Sequence, residues 1–585
     1  MPRFTVWAPQ AERVRVRVES TDHNLTAGNG GWWSVEAPTA KPDCDYAFLL
    51  DDDPKPLPDP RSRWQPNGVH SASRRYLPAE GDWSASDWTG RQLAGGVVYE
   101  LHVGTFTEEG TLTAAISKLD HLVELGVDFV ELMPVNAFDG VEGWGYDGVA
   151  WYAVHEPYGG PAGLRHFVAA CHDKGLGVLL DVVYNHLGPS GAYLDRFGPY
   201  FAGSNQWGRS LNLDGPDSDE VRRYVIDNAI GWLRDFHLDG LRLDAVHALR
   251  DSSATHLLEQ LAVEVDALST HLGRPLALIA ESDLNDARLV TAREAGGYGL
   301  TAQWDDDLHH CLHAALTGER QGYYADFGSL RSLADTWRRV FFHAGTYSSF
   351  RHRTHGRPVD TQRLPAYRFL GYVQNHDQIG NRATGDRISA TLSTGLLGVA
   401  AALVLCSPYT PMIFMGEEWG SRAPWQFFAS FPDPELTNAV RTGRRAEFAE
   451  HGWATEEVPD PMDPATVAAS RLRWSELDDP AHQRLLGVYR QLIALRKAHP
   501  DLTDPRLPLL DVEFDEEQRW LVMHRGRFAL ACNLGTERRQ LTLTGPGSAA
   551  DADPRTDLVL TNGPTELTAH TVSLGPESFA LLRLR

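Results

Sequence analysis

Hydrophobic and polar positions follow three different patterns along the chain. Residues 1–90 contain short segments in which apolar and polar residues alternate, such as FTVWAP (4–9) and RVRVRVES (13–20), and this period of two is typical of half-buried β-strands. Residues 91–500 show apolar runs separated by helical patterns, and residues 501–585 return to short strands. The patterns predict three domains over these ranges: a β domain, an α/β domain and a small antiparallel β domain.

Eight apolar runs in the α/β part predict strands that are buried on both faces. The runs are VVYELHV (97–103), VDFVELMPV (127–135), LGVLLDVVYNH (176–186), LDGLRLDAVH (238–247), LALIAE (276–281), YGLTAQW (298–304), YRFLGYVQNHD (367–377) and TPMIFMGEE (410–418). Helical patterns between them cover residues 113–125, 164–174, 218–235 and 254–272. Eight such units predict a (β/α)8 TIM barrel, whereas residues 434–464 have no pattern that predicts an element.

Charge and cysteine content narrow the class of protein. The chain has 54 lysines and arginines against 78 aspartates and glutamates, a net charge of −24, which argues against nucleic acid or an anionic membrane as the main partner. Its five cysteines are scattered without CxxC spacing, which favours reduced thiols over a disulfide framework or a zinc site. The N-terminus does not resemble a signal peptide, and the apolar stretch 396–405 is too short to span a bilayer. We therefore expect a cytoplasmic protein.

Polar residues close several of the predicted barrel strands, where barrel enzymes place their chemistry. They are Asn185, His186, Arg242, Asp244, Glu281, His376 and Asp377. Three carboxylates on one rim repel one another and shift each other's pKa values, which catalytic sites exploit. A metal site is the alternative for the same acids and histidines, although HExxH and close HxH spacings are absent from the sequence.

Two of these carboxylates have different surroundings in the sequence. Arg242 and Asp244 are two positions apart and share a face of their strand, so the cation favours the ionised form of Asp244. Glu281 closes the apolar run LALIAE, which raises its pKa and keeps a proton available. Two carboxyl groups with separated pKa values match the acid–base logic of glycoside cleavage, with Asp244 as the nucleophile and Glu281 as the acid/base.

Four motifs resemble, in chain order, the signature regions of the α-amylase superfamily, glycoside hydrolase family 13. They are DVVYNH (181–186), GLRLDAVH (240–247), the strand that ends at Glu281, and VQNHDQ (373–378). WGYDG (144–148) resembles the loop before the third strand of that family, and VWAP (6–9) with the valines after it resembles the carbohydrate-binding-like β-sandwich of branching and debranching enzymes. The resemblance covers nearly the whole chain and implies a retaining hydrolase that acts on α-glucans.

The resemblance also implies roles for single residues. Asp244 would attack the anomeric carbon, and Glu281 would protonate the leaving oxygen and then deprotonate water. Asp377 would bind ring hydroxyls and help to distort the sugar. The other residues expected to contact substrate are Tyr146, which would stack on the sugar, and His186, Arg242, His247, His376, Gln378 and Asn381.

Further segments resemble the trehalose-releasing hydrolases of this superfamily. They are ESDLND (281–286), QWDDDLHH (303–310), YVQNHDQIGNR (372–382) and DPRSRWQPNGVH (59–70). The implied reaction cleaves the α-1,4 bond next to the terminal trehalose of maltooligosyltrehalose, and a maltooligosyltrehalose synthase would be the partner in the pathway. Asp305, Asp306 and His309 would line the trehalose pocket, although helix capping explains such residues equally well.

Two other functions stay open beside this one. A 1,4-α-glucan branching transferase shares the N-terminal domain and the barrel. An inactive glucan-binding protein is a third hypothesis, and the three intact carboxylates argue against it.

No cofactor and no metal are expected. Asn185 matches a calcium-ligand position of many α-amylases, but the segment after it offers few acids, chiefly Asp195 and Asp214. For the tryptophans near the rim, core packing is the favoured interpretation; these are Trp144, Trp207, Trp304, Trp419 and Trp425. Trp32 and Trp33 are candidates for glucan binding or for the core of the N-terminal domain.

Overall fold

Two small antiparallel sheets form the N-terminal part in the computed structural model, which describes residues 2–38, 40–77, 88–450, 458–543, 556–568 and 571–584, except the side chains of 448–450. Their strands are β1 (Arg3–Trp7), β2 (Val14–Val18), β3 (Thr21–Asn24), β4 (Thr26–Ala27), β5 (Trp32–Glu36), β6 (Asp45–Leu50) and β7 (Ser73–Arg74). One sheet has the order β1-β5-β4 and the other β3-β2-β6-β7. The rings of Phe4 and Tyr46 approach to 4.9 Å between the two sheets, and the alternate valines of β2 are buried, as their period of two predicts.

Eight parallel strands of the middle part close into a barrel. They are β8 (Val98–Leu101), β9 (Phe129–Leu132), β12 (Gly177–Val182), β15 (Gly240–Leu243), β16 (Ala277–Ala280), β17 (Ala302–Trp304), β20 (Phe369–Tyr372) and β21 (Thr410–Phe414). Each of the eight predicted runs contains one of these strands, so the predicted (β/α)8 barrel is confirmed. Three hairpins lie between barrel strands: β10 (Asn136–Ala137) with β11 (Ala150–Val154), β13 (Phe201–Asn205) with β14 (Gly208–Leu211), and β18 (Thr346–Ser348) with β19 (Arg353–His355).

Side chains inside the barrel change from apolar to charged along the strands. Successive side chains of a strand point to opposite faces, so every second residue enters the interior. One interior cluster contains Val98, Phe129, Leu179, Ile279, Trp304, Tyr372 and Met412. Two positions after the first three of these come Glu100, Glu131 and Asp181, all buried. The apolar layer therefore supports a charged layer at the carboxyl ends of the strands.

Helices surround the barrel and fill its loops. They are α1 (Val103–Phe106), α2 (Leu112–Ile116), α3 (Leu119–Leu125), α4 (Gly160–Asp173), α5 (Leu194–Phe197), α6 (Ser218–Asp235), α7 (Leu257–Leu272), α8 (Asp306–Thr317), α9 (Leu330–Arg339), α10 (His376–Gly380), α11 (Thr394–Leu405), α12 (Pro434–Glu450), α13 (Pro464–Ser470), α14 (Pro480–Ala498) and α15 (Pro500–Thr503). Within the described ranges no helix is both long enough and apolar enough to cross a bilayer.

Two sequence predictions for helices differ from the structure. The helix expected over 113–125 is split, because the hydroxyl and the amide of Ser117 both donate to the carbonyl of Ala114 and end α2. Residues 434–464, without an interpretable pattern, contain α12 and the first residue of α13. Residues 434–447 of α12 are half-buried or exposed, which explains why the apolar pattern of this helix is weak.

The C-terminal part consists of two antiparallel sheets that pack face to face. Their strands are β22 (Asp511–Asp515), β23 (Trp520–Arg525), β24 (Phe528–Asn533), β25 (Arg539–Thr542), β26 (Thr556–Thr561), β27 (Thr565–Leu567), β28 (Thr571–Leu574) and β29 (Ser578–Leu584). The sheet order is β22-β23-β24-β29-β26 in one and β25-β28-β27 in the other. Val522 and Ala531 of the first sheet share a buried cluster with Leu541 and Val572 of the second. The predicted C-terminal antiparallel β domain is thus confirmed as a fold.

Candidate active site

The three candidate catalytic carboxylates follow the carboxyl ends of three barrel strands. Asp244 comes directly after β15 and Glu281 directly after β16, and these two strands are neighbours in the barrel. Asp377 lies in α10, five residues after the end of β20. Because parallel strands end at one edge of the barrel, all three side chains reach the same face.

Arg242 connects the carboxylates beneath this face. Its side chain is fully buried, and its Nη1 atom donates both to Asp244 Oδ1 and to Asp181 Oδ2, each at 2.7 Å. Its Nη2 lies 3.6 Å from Glu281 Oε2. The indole of Trp304 lies below the guanidinium, at 4.2 Å from the ring centroid. One guanidinium therefore contacts both members of the predicted nucleophile and acid/base pair.

Asp244 is held at both of its carboxylate oxygens. Besides the bond from Arg242, its Oδ2 accepts a hydrogen bond of 2.6 Å from the side-chain amide of Asn185. The same amide donates to the Asp244 carbonyl at 3.0 Å, which fixes the backbone as well. Two donors, one of them a cation, fix the orientation of this carboxylate.

The Glu281 carboxyl is largely buried beside other charged groups. Burial raises the pKa of this carboxyl to about 8; Arg242 opposes the rise, and the charges of Asp244, Asp306 and Asp377 add to it. Its Oε2 accepts a short bond of 2.5 Å from the amide of Ala245, a residue in the left-handed region at φ 39°. A non-glycine residue there costs about 1–2 kcal/mol, so the turn after Asp244 is strained backbone that directs its N–H to Glu281.

Asp377 is the most open of the three acids. Its side chain is 43% exposed, compared with 12% for Asp244 and 14% for Glu281. Asn375 caps α10 and accepts hydrogen bonds from the amides of Asp377 and Gln378. Asn381 donates to Asp377 Oδ1 at 3.4 Å. The cap fixes the backbone while the carboxylate stays accessible to a ligand.

Tyr146 lies between an acid and a histidine. Its hydroxyl donates to Asp181 Oδ2 at 2.6 Å and lies 2.8 Å from Nε2 of His376, whose ring stacks on the tyrosine ring at 5.2 Å between centroids. The other ring nitrogen of His376, Nδ1, lies 2.5 Å from Glu100 Oε1. The structure therefore gives Tyr146 a fixed orientation at the centre of the site.

Three acids of the site are missing from the sequence prediction: Glu100, Glu131 and Asp181. Each lies inside an apolar run rather than at its end, so a search for residues that close a run passes over them. The signal that would find them is the period of two, because each follows a buried apolar interior residue by two positions. Burial raises the pKa of Asp181 to about 6, and it raises that of Glu131 much further.

His186 and His247 lie on one side of the site with Trp207. The ring of Trp207 is 6.3 Å from that of His186 and 5.8 Å from that of His247, and its side chain is 42% exposed. His186 also bonds the side chain of Asn185, and His247 Nδ1 accepts from the amide of Asp283 at 3.3 Å. Trp207 is thus an accessible aromatic surface, contrary to the core packing that the sequence favours for it.

The start of α8 places its polar residues on two different sides. Asp306 accepts from the hydroxyl of Tyr372 at 2.5 Å and from the side-chain amide of Gln378 at 3.1 Å. Burial raises its pKa. Asp306 and Gln378 therefore join the group that contains Asp377.

Asp305 and His309, which the sequence predicts to line the trehalose pocket, are more deeply buried than Asp306. Both side chains are fully buried. His309 is bonded at one nitrogen to the Val373 carbonyl at 2.6 Å and at the other to the hydroxyl of Tyr324 at 2.9 Å. Asp305 directly precedes the first residue of α8.

Arg444 of α12 reaches the same site from outside the barrel. Its Nη2 donates to the Gly380 carbonyl at 2.5 Å, and its Nη1 lies 3.3 Å from Asn381 Oδ1. The chain Arg444–Asn381–Asp377 links this helix to the third carboxylate. The sequence carries no signal for this contact, because α12 has no recognisable pattern of its own.

The remaining tryptophans are mostly core residues, as predicted. Trp144, Trp304, Trp419 and Trp425 are all at most 6% exposed. In the N-terminal part, Trp33 is half-buried and donates to the Ala8 carbonyl at 3.0 Å, while the guanidinium of Arg61 faces the ring of Trp32 at 5.4 Å. Both of these indoles therefore have partners within the protein.

The polar side chains of the site bond one another rather than forming a metal centre. Across the ranges that the structure describes, no group of three or more His, Cys, Asp or Glu residues is arranged to hold a metal ion. Asn185, at the position of a calcium ligand in many α-amylases, uses its side chain on Asp244 and His186.

Fold and site together define a glycoside hydrolase of the α-amylase class. The family model for the alpha amylase catalytic domain matches residues 79–204, and a domain of unknown function, DUF3459, matches residues 509–581. A malto-oligosyltrehalose trehalohydrolase of Mycobacterium tuberculosis is 56% identical over 98% of this chain and 99% of its own length. One from Arthrobacter ramosus is 58% identical over 90% of this chain and 91% of its own. The chain belongs to the malto-oligosyltrehalose trehalohydrolase family.

A solved structure agrees with the α-amylase class. A Salmonella typhimurium protein described as of the α-amylase type has a TM-score of 0.89 and 36% identity, and the match covers 99% of this chain and 97% of that one. The similarity therefore includes both terminal parts as well as the barrel.

Proposed function

We propose that this protein hydrolyses the α-1,4-glucosidic bond next to the terminal trehalose of maltooligosyltrehalose, releasing trehalose and a malto-oligosaccharide with retention of configuration. The observation that carries the proposal is the pair Asp244 and Glu281 on the two sides of Arg242. One carboxyl has two donors that favour its ionised form, and the other has a raised pKa. The family's printed name supports the identity of the leaving group.

In the first step, Asp244 attacks the anomeric carbon and the bond to the trehalose oxygen breaks. Glu281 transfers its proton to that oxygen, so trehalose leaves as a neutral alcohol and a β-glycosyl-enzyme remains. In the second step, the Glu281 carboxylate takes a proton from water, whose oxygen attacks the same carbon and releases Asp244. Two inversions give an α-configured product.

The other polar groups would bind the sugar on which this chemistry occurs. Asp377 is open enough to accept hydrogen bonds from ring hydroxyls, and Tyr146 offers its ring beside it. The remaining residues proposed for substrate binding are His186, Arg242, His247, Asp306, His376, Gln378 and Asn381. Hydrogen bonds to hydroxyls that strengthen in the transition state contribute several kcal/mol in such enzymes.

Product analysis tests the proposal. We expect incubation with maltooligosyltrehalose to release free trehalose, and proton NMR at early times to show the α-anomer at the new reducing end. Amylose of the same length serves as the comparison substrate. New α-1,6 linkages without trehalose would identify a branching transferase instead, and an initial β-anomer would exclude the double displacement.

The pH dependence of kcat/KM is a second test. Glu281 must carry a proton to act as the acid, and the proton is present below its pKa of about 8 and lost above it. We therefore expect kcat/KM on maltooligosyltrehalose to fall about tenfold per pH unit above roughly pH 8. An α-maltosyl fluoride is the control, because fluoride leaves without protonation and its rate should lack this limb. If kcat/KM fell in the same way above this pH on both substrates, the titration would belong to another group.

We further propose a cytoplasmic protein that works downstream of a maltooligosyltrehalose synthase. The substrate contains a trehalose end that an enzyme of that kind must form first. All five cysteines are buried and unpaired, which suits a reducing compartment.

A further inference from the structure

His376 and Glu100 form a buried pair beneath the third carboxylate. Both side chains are 1% exposed. Glu100 Oε1 lies 2.5 Å from the ring Nδ1 of His376, and its Oε2 accepts from the backbone amide of His376 at 3.2 Å. Glu100 is thus bonded twice to the residue that precedes Asp377.

Counting protons around Tyr146 fixes the state of His376. The hydroxyl of Tyr146 has a single proton and donates it to Asp181 Oδ2 at 2.6 Å, an oxygen that also accepts from Arg242. The same hydroxyl lies 2.8 Å from His376 Nε2, so at this contact the imidazole must be the donor. On the other side Nδ1 faces a carboxylate and must donate as well. Both ring nitrogens then carry a proton.

Groups from several elements determine this charge. The titratable and charged groups that face or influence the ring are Glu100 of β8, Glu131 of β9, Tyr146, Asp377, Arg242 of β15 and His102. Burial disfavours a cation here, but Glu100 and Asp377 outweigh burial and Arg242, so the pKa of His376 rises to about 9. Asp377 Oδ1 itself lies 3.5 Å from Nε2.

We propose that Glu100 is a positioning residue that holds His376 as an imidazolium, so that a fixed cation with two N–H donors supports Tyr146 and Asp377 during catalysis. A charge-assisted bond at Nδ1 fixes the ring plane, and Nε2–H then points to the tyrosine hydroxyl and the Asp377 carboxylate. The kinetic part rests on the proposed function, whereas the protonation state is measured without any substrate.

The neighbouring strand offers a matched control. Glu131 of β9 pairs in register with Glu100, so both glutamates occupy the same level of the barrel. Burial, together with the charges of Glu100 and Asp181, raises the pKa of Glu131 well above its usual range. Glu131→Gln therefore changes a buried glutamate of equal size in the same layer, whereas Glu100→Gln keeps an acceptor for Nδ1–H but removes the carboxylate that bonds His376.

Two-bond proton–nitrogen NMR of protein labelled with ¹⁵N-histidine reports the protonation of each ring nitrogen. The His376 signal is assigned by its loss in His376→Gln. We expect unmutated protein and Glu131→Gln to show two protonated nitrogens at pH 7, and Glu100→Gln to show a neutral ring. A neutral His376 in the unmutated protein, or an unchanged imidazolium in Glu100→Gln, would overturn the proposal. The first of these outcomes needs only His376→Gln, which assigns the signal, to fold.

Kinetics then separate a positioning role from a packing role. For Glu100→Gln we expect kcat to fall roughly 10- to 100-fold, as for other partners that orient a functional histidine, with a smaller change in KM. For Glu131→Gln we expect a smaller fall in kcat than for Glu100→Gln, because it is Glu100 that bonds the ring of His376. An equal loss in both variants would show that buried packing, not the charge on His376, is responsible. If the protein released no trehalose at all, the proposed function would fail while the NMR result still stood.

Discussion

Replacing Glu281 with glutamine is expected to lower kcat on maltooligosyltrehalose by roughly 10²- to 10⁴-fold. The amide keeps the size of the side chain and the acceptor for the Ala245 amide, but it has no proton to give to the leaving oxygen. Glucan binding should change little. The Glu281 side chain contacts Arg242 and Ala245, and its replacement by glutamine should leave the fold in place. Initial rates of trehalose release, with glucan affinity measured by calorimetry, test both parts.

An activated substrate makes this result specific for the acid role. Fluoride needs no proton to depart, so the first step on an α-maltosyl fluoride should be nearly unaffected in Glu281→Gln. The second step still lacks its base, and a glycosyl-enzyme should accumulate and be visible by mass spectrometry. If the rate of the first step fell equally on α-maltosyl fluoride and on maltooligosyltrehalose, this would contradict the assignment of Glu281 as the acid.

Replacing Asp244 with asparagine is expected to lower kcat on the order of 10⁴-fold or more, on both substrates alike. The amide cannot form the glycosyl ester, whatever the leaving group. It also loses the charge that faces Arg242, which lies 2.7 Å away. Asp244→Asn should lose the turnover of both substrates, and this distinguishes it from Glu281→Gln.

The covalent intermediate provides the decisive measurement for Asp244. In Glu281→Gln treated with α-maltosyl fluoride, peptide mapping should place the sugar on the peptide that contains Asp244. The double variant with Asp244→Asn serves as the control and should carry no sugar. If the sugar were found on another carboxylate, such as Asp377, that residue and not Asp244 would be the nucleophile.

The barrel was predictable because its strands are buried on both faces. A strand with helices outside and side chains packed inside tolerates few polar residues, so each of the eight runs stands out from its surroundings. Helix α6 was predicted at its observed bounds for a similar reason, since its amphipathic pattern continues without a break. By contrast, α12 lies over the rim with little buried surface, and its residues carry no comparable pattern.

The candidate site was predictable only where the chemistry lies at the end of a run. Asp244 and Glu281 close their strands, and Arg242 precedes Asp244 by two residues, so their proximity follows from local geometry. The pairing of Glu100 with His376 joins residues 276 positions apart, and no local pattern reports it. Asp305 and Asp306 are neighbours in sequence, and only the rotation of α8 decides which one faces Tyr372.

The barrel closes where β21 pairs with β8, the last strand with the first. Glu100 belongs to that first strand, and the chain must return from a distance of 276 residues to bring His376 against it. Glu100 and His376 can therefore pair only after the chain has been synthesised beyond residue 376. A chain that ends before this residue is expected to release no trehalose from maltooligosyltrehalose, since it has neither His376 nor Asp377.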